Sequence, residues 1–184
     1  ERWDSFASAQ SFVSNEIFHW IRQRFPKGRF LFCPTPYCGR MRARELGGAN
    51  YLETLGQELD PAIDVFWTGP EIISETIPST HIAEITEALQ RPPLIWDNLH
   101  ANDYDGQRVY CGPYSGRSLE VRDHVRGILI NPNNEAPLNF IAARTLAAFV
   151  HCESSEWDPR SAYLQAIQEW HTEFQSAGKP ISLE

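Results

Sequence analysis

The run Trp96–Asp105, WDNLHANDYD, carries the densest set of chemically useful side chains in the sequence. It follows the apolar segment Pro93–Ile95 and gathers three carboxylates, two amides, an imidazole and two aromatic rings in ten positions. Aromatic faces can stack on the C–H groups of a sugar ring while Asp and Asn side chains bind its hydroxyls. The run therefore predicts a polar pocket for a sugar-like ligand at the end of a strand. The alternative is an Asx-rich loop that caps the next helix.

Polar side chains also follow three other apolar segments. They are Thr35 and Tyr37, then Thr68, and then the stretch Asn131–Asn134. In parallel β/α folds the carboxyl ends of the strands form the ligand-binding face. We therefore expect all four groups to meet at one edge of a sheet.

The strands and helices that would position these groups alternate along the chain. Runs rich in β-branched and aromatic residues recur about every 30–35 residues, the usual length of a β/α unit. The predicted strands are Arg29–Cys33, Ile63–Trp67, Pro93–Trp96 and Gly127–Ile130. The predicted helices are Asp4–Phe25, Asn50–Leu59, Ser79–Gln90, Ser118–Arg126, Leu138–Val150 and Ser161–Phe174. The first helix has apolar residues at helical spacing (Phe6, Ala9, Phe12, Val13, Ile17, Trp20 and Ile21), and the last has Tyr163, Ile167, Trp170 and Phe174.

This α/β pattern favours a (β/α)8 TIM barrel over a doubly wound sheet. Every strand delivers polar residues to the same rim, and glycine-rich phosphate loops are missing. A complete barrel takes about 250 residues, whereas this chain has four β/α units. We expect residues 1–150 to be the second half of a barrel and residues 151–184 a C-terminal helical extension. The first half is expected upstream of Glu1 or on another chain.

The amino-acid composition restricts the classes of molecule that the protein is expected to bind. Sixteen basic against twenty-four acidic residues give a net charge of −8, which opposes binding to nucleic acid. The sequence has no apolar run of the roughly 20 residues that a membrane span needs. The four cysteines are too sparse for a disulfide framework. These features predict free thiols in a reducing compartment, cytoplasmic or, in a eukaryote, nuclear.

Five ordered motifs together resemble the protein O-GlcNAcases, glycoside hydrolase family 84, over about residues 4–150. The motifs are LFCPTPYCG at 31–39, FWTGP at 66–70, the 96–105 run, GPY at 112–114 and NPN at 131–133. The resemblance implies a retaining β-N-acetylglucosaminidase that needs no cofactor and removes GlcNAc from Ser and Thr of glycoproteins. In that family the acetamido oxygen of the substrate attacks the anomeric carbon, which gives an oxazoline.

The resemblance also implies roles for seven residues. Tyr37 and Trp96 match the aromatic walls of the N-acetyl pocket, with Cys33 and Thr68 beside them. Asp103 and Asn131 match the pair that binds the outer sugar hydroxyls, and Asn98 matches an amide of the same subsite. Core packing remains an alternative for Cys33 and Thr68, and a helix cap for Asp103. Asp97 and His100 are expected to hold the loop rather than to contact substrate.

The family's two adjacent catalytic aspartates are absent from this sequence and are expected just upstream of Glu1, so no catalytic residue is predicted within the chain. Pro36, Met41 and Ile72 depart from the pattern of animal members. Pro36 and Met41 flank the pocket, so they bear on contacts with the peptide more than on sugar recognition.

A calcium site is rejected, and two alternatives for the function remain. A calcium loop built from Asp97, Asp103 and Asp105 lacks the glycine and terminal glutamate of an EF-hand, so no metal is predicted. The chain could be a non-catalytic GlcNAc-binding or scaffold fragment. It could also belong to a bacterial hexosaminidase or hyaluronidase of the same family.

Overall fold

A four-stranded parallel sheet with helices packed against it forms the centre of the protein. The computed structural model describes residues 3–153 and 155–171, together with the backbone of 175–176 and 179–180. The sheet strands are β1 (Leu31–Phe32), β2 (Asp64–Trp67), β3 (Leu94–Asp97) and β4 (Gly127–Ile130). Their spatial order is β1-β2-β3-β4, with every pair parallel. The predicted α/β class is confirmed, and the order contains no reversal.

The helices alternate with these strands as the sequence periodicity predicts. They are α1 (Phe6–Arg24), α2 (Gly39–Ala43), α3 (Tyr51–Glu58), α4 (Ser79–Leu89), α5 (Asn139–Val150) and α6 (Pro159–His171). The helix α2 was not predicted, because five residues are too few to show a period.

The predicted helix Ser118–Arg126 is wrong in type. The chain forms a 3₁₀ helix there, Leu119–His124, and a second one at Ala136–Leu138. A 3₁₀ helix rises more per residue than an α-helix, so it spans the short connection between buried Arg117 and β4 with fewer residues.

The core lies between the sheet and the helices α3 and α4. Val65 and Trp67 of β2 point into it, where they meet Leu55 of α3 and Ile85 of α4, and all four are at most 1% exposed. Each such side chain contributes about 1.5–3 kcal/mol by leaving water. This layer holds the strands fixed beneath the loops at their carboxyl ends.

The helix α1 packs through Phe18 and three small residues rather than through its apolar stripe. Ala7, Ser11 and Ser14 are buried, and Asn15 Nδ2 donates to the Glu58 carbonyl of α3 at 2.9 Å. Small side chains allow this close approach of the two helices. The opposite face keeps large apolar residues 42–55% exposed: Phe6, Phe12, Val13, Ile17 and Trp20.

The C-terminal helix α6 packs on α5. Arg144 makes two bonds to the Glu169 carboxylate, and Phe140 stacks on Trp170 with ring centroids 6.3 Å apart. Of the predicted apolar stripe, Tyr163, Ile167 and Trp170 are half-buried, and Phe174 lies outside the described residues. Two short strands, β5 (Gln175–Ser176) and β6 (Lys179–Pro180), pair antiparallel. In the described ranges, no helix has the length and apolarity that crossing a membrane requires.

Candidate functional site

A cavity of about 800 Å³ opens at the carboxyl ends of the four strands, near the upper end of the range for ligand pockets. All seven residues predicted from the sequence line it: Cys33, Tyr37, Thr68, Trp96, Asn98, Asp103 and Asn131. The other lining residues are Arg40, Phe66, Glu71, Ile72, Ile73, Ala101 and Tyr104. The rule that parallel strands deliver polar residues to one edge therefore holds here.

Aromatic rings form the floor and walls of the cavity. Trp96 of β3 is 38% exposed, although both of its strand neighbours, Ile95 and Asp97, are buried. The Phe66 ring meets Trp96 edge to face, with centroids 5.0 Å apart and planes at 85°. This contact fixes the indole with one surface open to the cavity, an arrangement suited to stacking on a sugar ring.

Two amides lie at the end of β3 and β4 and bind each other. Asn131 Nδ2 donates to Asn98 Oδ1 at 3.1 Å, and Asn98 Nδ2 donates to the Ile72 carbonyl at 2.7 Å. Asn98 is therefore oriented from two sides, and it ties the loop after β2 to the end of β3. The remaining N–H and C=O capacity of both amides is available to a ligand.

Asp103 lies at the cavity on an ordered loop. Its carboxylate is exposed and accepts no hydrogen bond from the part of the chain that the structure describes. The next helical segment along the chain begins at Leu119, so the helix-cap alternative for Asp103 is wrong. A carboxylate held at a cavity without a protein partner suits a ligand hydroxyl.

Two buried asparagines hold the ends of this loop. Asn102 accepts from the Asn134 amide at 2.8 Å and donates to the Arg108 carbonyl at 2.7 Å. Asn133 accepts from the Tyr110 amide at 2.8 Å and donates to the Tyr110 carbonyl at 2.9 Å. The segment that carries Asp103 is thereby fixed to the loop that follows β4.

Asp97 and His100 hold structure together, as predicted. Arg117 binds both oxygens of Asp97, at 2.6 and 2.8 Å, and both side chains of this ion pair are at most 1% exposed. The Tyr114 hydroxyl donates to Asp97 at 2.8 Å, and His100 Nε2 lies 3.0 Å from the Gly112 carbonyl. Both oxygens of Asp97 are thus occupied by partners within the protein.

Arg117 extends this cluster to the loop after β2. Its guanidinium donates to the carbonyls of Ser74 and Glu75 at 2.8 and 2.9 Å. Neighbouring Gly116 has φ +75°, and a Cβ there would lie 1.9 Å from the Glu75 carbonyl oxygen. The backbone at Gly116 therefore packs directly against the backbone at Glu75, with no room for a side chain between them.

The ionisable groups of the cavity favour neutral forms where burial acts on them. Burial raises the pKa of the Cys33 thiol and of the Tyr37 phenol. A raised pKa keeps the thiol protonated, and a protonated thiol is a poor nucleophile. Across the residues for which the structure gives positions, no group of three or more His, Cys, Asp or Glu side chains could hold a metal ion.

Sequence reasoning missed several lining residues. Phe66 alternates with buried Val65 and Trp67, so the strand period could have placed it on the open face. Arg40 and Glu71 follow different strands and meet only through the fold, and no local signal marks them. Arg117, which binds Asp97 but does not line the cavity, lies twenty residues further along the chain, and no local pattern predicted this pair.

A family model described as beta-N-acetylglucosaminidase matches residues 1–181. The proteins named Protein O-GlcNAcase of Rattus norvegicus and of Mus musculus are each 45% identical over 149 residues, which is 81% of this chain and 16% of theirs.

A solved structure of a mutant Thermobaculum terrenum O-GlcNAc hydrolase also matches, with a TM-score of 0.79 and 32% identity. The match covers 89% of this chain and 34% of that one. This chain therefore spans about a sixth of the length of the rodent relatives and a third of the bacterial one.

Proposed function

Because this chain belongs to the beta-N-acetylglucosaminidase family, we propose that it supplies half of a catalytic barrel that removes β-linked GlcNAc from Ser and Thr of glycoproteins. One observation carries the proposal: seven side chains suited to a GlcNAc residue, drawn from the ends of all four strands, line one cavity. The description of the matching family and the names of the similar proteins, O-GlcNAcase and O-GlcNAc hydrolase, agree with this substrate class.

We assign residues 1–150 to the second half of a (β/α)8 domain, with residues 151–184 as a helical extension. The unreversed strand order supports a barrel rather than a doubly wound sheet. The exposed apolar residues of α1 also support this assignment, because a neighbouring helix from the first half of the barrel would cover them. Large side chains on the open face of the sheet, Leu31 and Leu129, are 40% and 43% exposed, as expected of a barrel interior that further strands would close.

In the proposed reaction, the acetamido oxygen of the substrate attacks the anomeric carbon as the glycosidic C–O bond breaks. The leaving oxygen takes a proton from one aspartate of an adjacent pair that we place just upstream of Glu1, while the other orients the acetamido group. Water then opens the oxazoline and gives its proton back to the first aspartate. Tyr37 and Trp96 hold the acetamido group and ring, with Cys33 and Thr68 as neighbouring walls.

The remaining polar residues orient the sugar. Asp103 accepts protons from the outer hydroxyls, and Asn131, fixed by Asn98, contacts the same edge. Because Asn98 is held on both sides, little rearrangement is needed when the sugar enters, which keeps the reacting atoms aligned.

The test begins with the residues encoded before Glu1 and continues with the complete barrel. An Asp-Asp pair that closes an apolar strand, together with hydrolysis of an aryl β-GlcNAc and inhibition by a thiazoline mimic of the oxazoline, is the expected result. Absence of the pair and of turnover would favour the scaffold fragment instead. Turnover together with sharp two-state unfolding of the isolated 184-residue chain would overturn the half-barrel assignment.

A further inference from the structure

The cavity has a second polar end, formed by Arg40 and Glu71. Arg40 Nε lies 2.9 Å from Glu71 Oε2, and their side chains are 46% and 49% exposed. Arg40 follows β1 and Glu71 follows β2, whereas Asn98, Asp103 and Asn131 follow β3 and β4. The strand order therefore places this ion pair on the opposite side of the cavity from the hydroxyl-binding residues.

The backbone, not the ion pair, holds these two residues in place. The amides of Gly39 and Arg40 donate to the carbonyls of Gly69 and Pro70 at 2.9 and 2.8 Å. The Glu71 carbonyl accepts from Thr68 Oγ1 at 2.7 Å, and the Glu71 amide donates to Ser74 Oγ at 3.0 Å. Since the main chain is fixed without it, the ion pair is free to exchange partners.

Arg40 has unused binding capacity. Among the cavity's described lining residues it is the only cation, and its guanidinium makes no hydrogen bond of good geometry to the described part of the chain. A guanidinium presents five N–H donors in a fork that matches a carboxylate. A half-exposed cation of this kind in a chain of net charge −8 marks a local site for an anion.

We propose that Arg40 binds an acidic side chain of the substrate polypeptide close to the glycosylated Ser or Thr, and that Glu71 occupies Arg40 until that carboxylate displaces it. The proposal rests on the function proposed above, because it assigns the end of the cavity away from the sugar hydroxyls to the peptide. Glu71 can turn into solvent when displaced, since nearly half of its side chain is already exposed. The pair thus sets specificity for acidic sequences next to the sugar.

The experiment compares two synthetic glycopeptides that differ only in Glu or Lys at the positions flanking the GlcNAc-Ser, with the complete barrel as enzyme. The readout is the ratio of kcat/KM for the acidic over the basic glycopeptide. We expect the wild type to prefer the acidic peptide by about three- to tenfold, the range of one partly exposed charge-assisted contact. Arg40→Gln should bring the ratio close to one, and Glu71→Gln should raise it above the wild-type value.

Arg42 provides the matched control. Arg42 lies on α2, the same helix as Arg40, and its side chain is similarly exposed. It pairs with Glu53 of α3 at 2.6 Å, outside this cavity, so Arg42→Gln should keep the wild-type ratio. A wild-type ratio near one, or a ratio that Arg40→Gln leaves unchanged, would overturn the proposal. Hydrolysis of an aryl β-GlcNAc by the wild type separates the two failures: turnover with a flat ratio refutes only the role of Arg40, whereas no turnover on any substrate refutes the enzyme itself.

Discussion

Two aspartates of the same motif, Asp97 and Asp103, have opposite surroundings. Asp97 is buried and accepts bonds from Arg117, from the Tyr114 hydroxyl and from the Leu99 amide. Asp103 is exposed at the cavity and accepts none from the described chain. A carboxylate whose bonds are all made internally builds the site, and one whose bonds are left open is available to bind in it.

The difference teaches that residue type and motif membership do not separate the two roles. Both aspartates belong to one run and lie within reach of the same strand end. What separates them is the set of internal partners. Asp97 is neutralised by Arg117, twenty residues further along the chain, and is bonded by Tyr114 and Leu99, whereas Asp103 has no such partner in the described part of the chain.

The largest effect is expected from removal of Arg117. Arg117→Met leaves the Asp97 carboxylate buried without its counter-charge, and breaking a buried pair in this way costs about 3–5 kcal/mol of stability. Denaturant unfolding of the complete barrel measures the loss. The exposed pair of Arg144 is the control, and Arg144→Met should cost far less because solvent screens that pair. Equal losses of stability in Arg117→Met and Arg144→Met would contradict the structural role assigned to the buried pair.

The next effect concerns activity rather than stability. Asp103→Ala should lower kcat/KM by about tenfold to a few hundredfold, since each charge-assisted bond to a sugar hydroxyl is worth roughly 1.5–3 kcal/mol. Asp103→Asn should do less damage because the amide still accepts one bond. The melting temperature should stay close to wild type in both. A stability loss with normal kcat/KM per folded molecule would place Asp103 with Asp97.

The aromatic walls should give a smaller effect. Trp96→Ala and Tyr37→Ala each remove an aromatic stacking contact worth about 0.5–1.5 kcal/mol, which corresponds to about a twofold to twelvefold loss in kcat/KM. Thiazoline affinity and turnover should fall together, because both depend on the acetamido pocket. The variant Leu164→Ala, on the exposed side of α6, serves as the control. Unchanged inhibitor affinity in both aromatic variants would exclude them from that pocket.

The smallest effect is a pH dependence of stability. Burial lowers the pKa of both His81 and His100 from the ordinary 6.5, so the folded state holds them neutral while the unfolded chain takes up protons. This contribution to stability is fully present above about pH 6.5 and is lost as the pH falls towards the lowered value. Denaturant midpoints at pH 7.5 and 5.5 should show the loss. His100→Gln, whose amide can still donate to the Gly112 carbonyl, should reduce it; an unaltered pH slope would contradict the assignment.

The sheet and most helices were predictable because their signals are local. Strands β2, β3 and β4 are short apolar runs, and polar residues after the strands indicated the edge where the cavity lies. The resemblance to a known family, rather than spacing alone, supplied the seven cavity residues. The strand β1 is shorter than predicted, ending at Phe32 just before Cys33 and Pro34, since proline cannot donate to a strand ladder.

The rest depends on contacts between distant residues, which spacing does not reveal. Helix α1 shows the limit clearly: its periodic apolar residues correctly predict a helix, yet the residues that it buries are Ala7, Ser11, Ser14 and Phe18, none of them large members of that stripe. Periodicity identifies an apolar face but not which neighbour covers it. Likewise, no local sequence pattern near Asp97 predicts its ion pair with Arg117. Arg40 and Glu71 come together only because β1 and β2 pair in the sheet.

The asparagine bonds at both ends of the Asp103 loop have a kinetic consequence. Because Asn102 and Asn133 already fix this segment, a ligand that reaches Asp103 has no loop to fold, and it loses little conformational entropy there. For this side of the cavity, the observed association rate should rise linearly with ligand concentration in stopped-flow traces, without a slow closing phase. The affinity would then be set by the dissociation rate of the sugar.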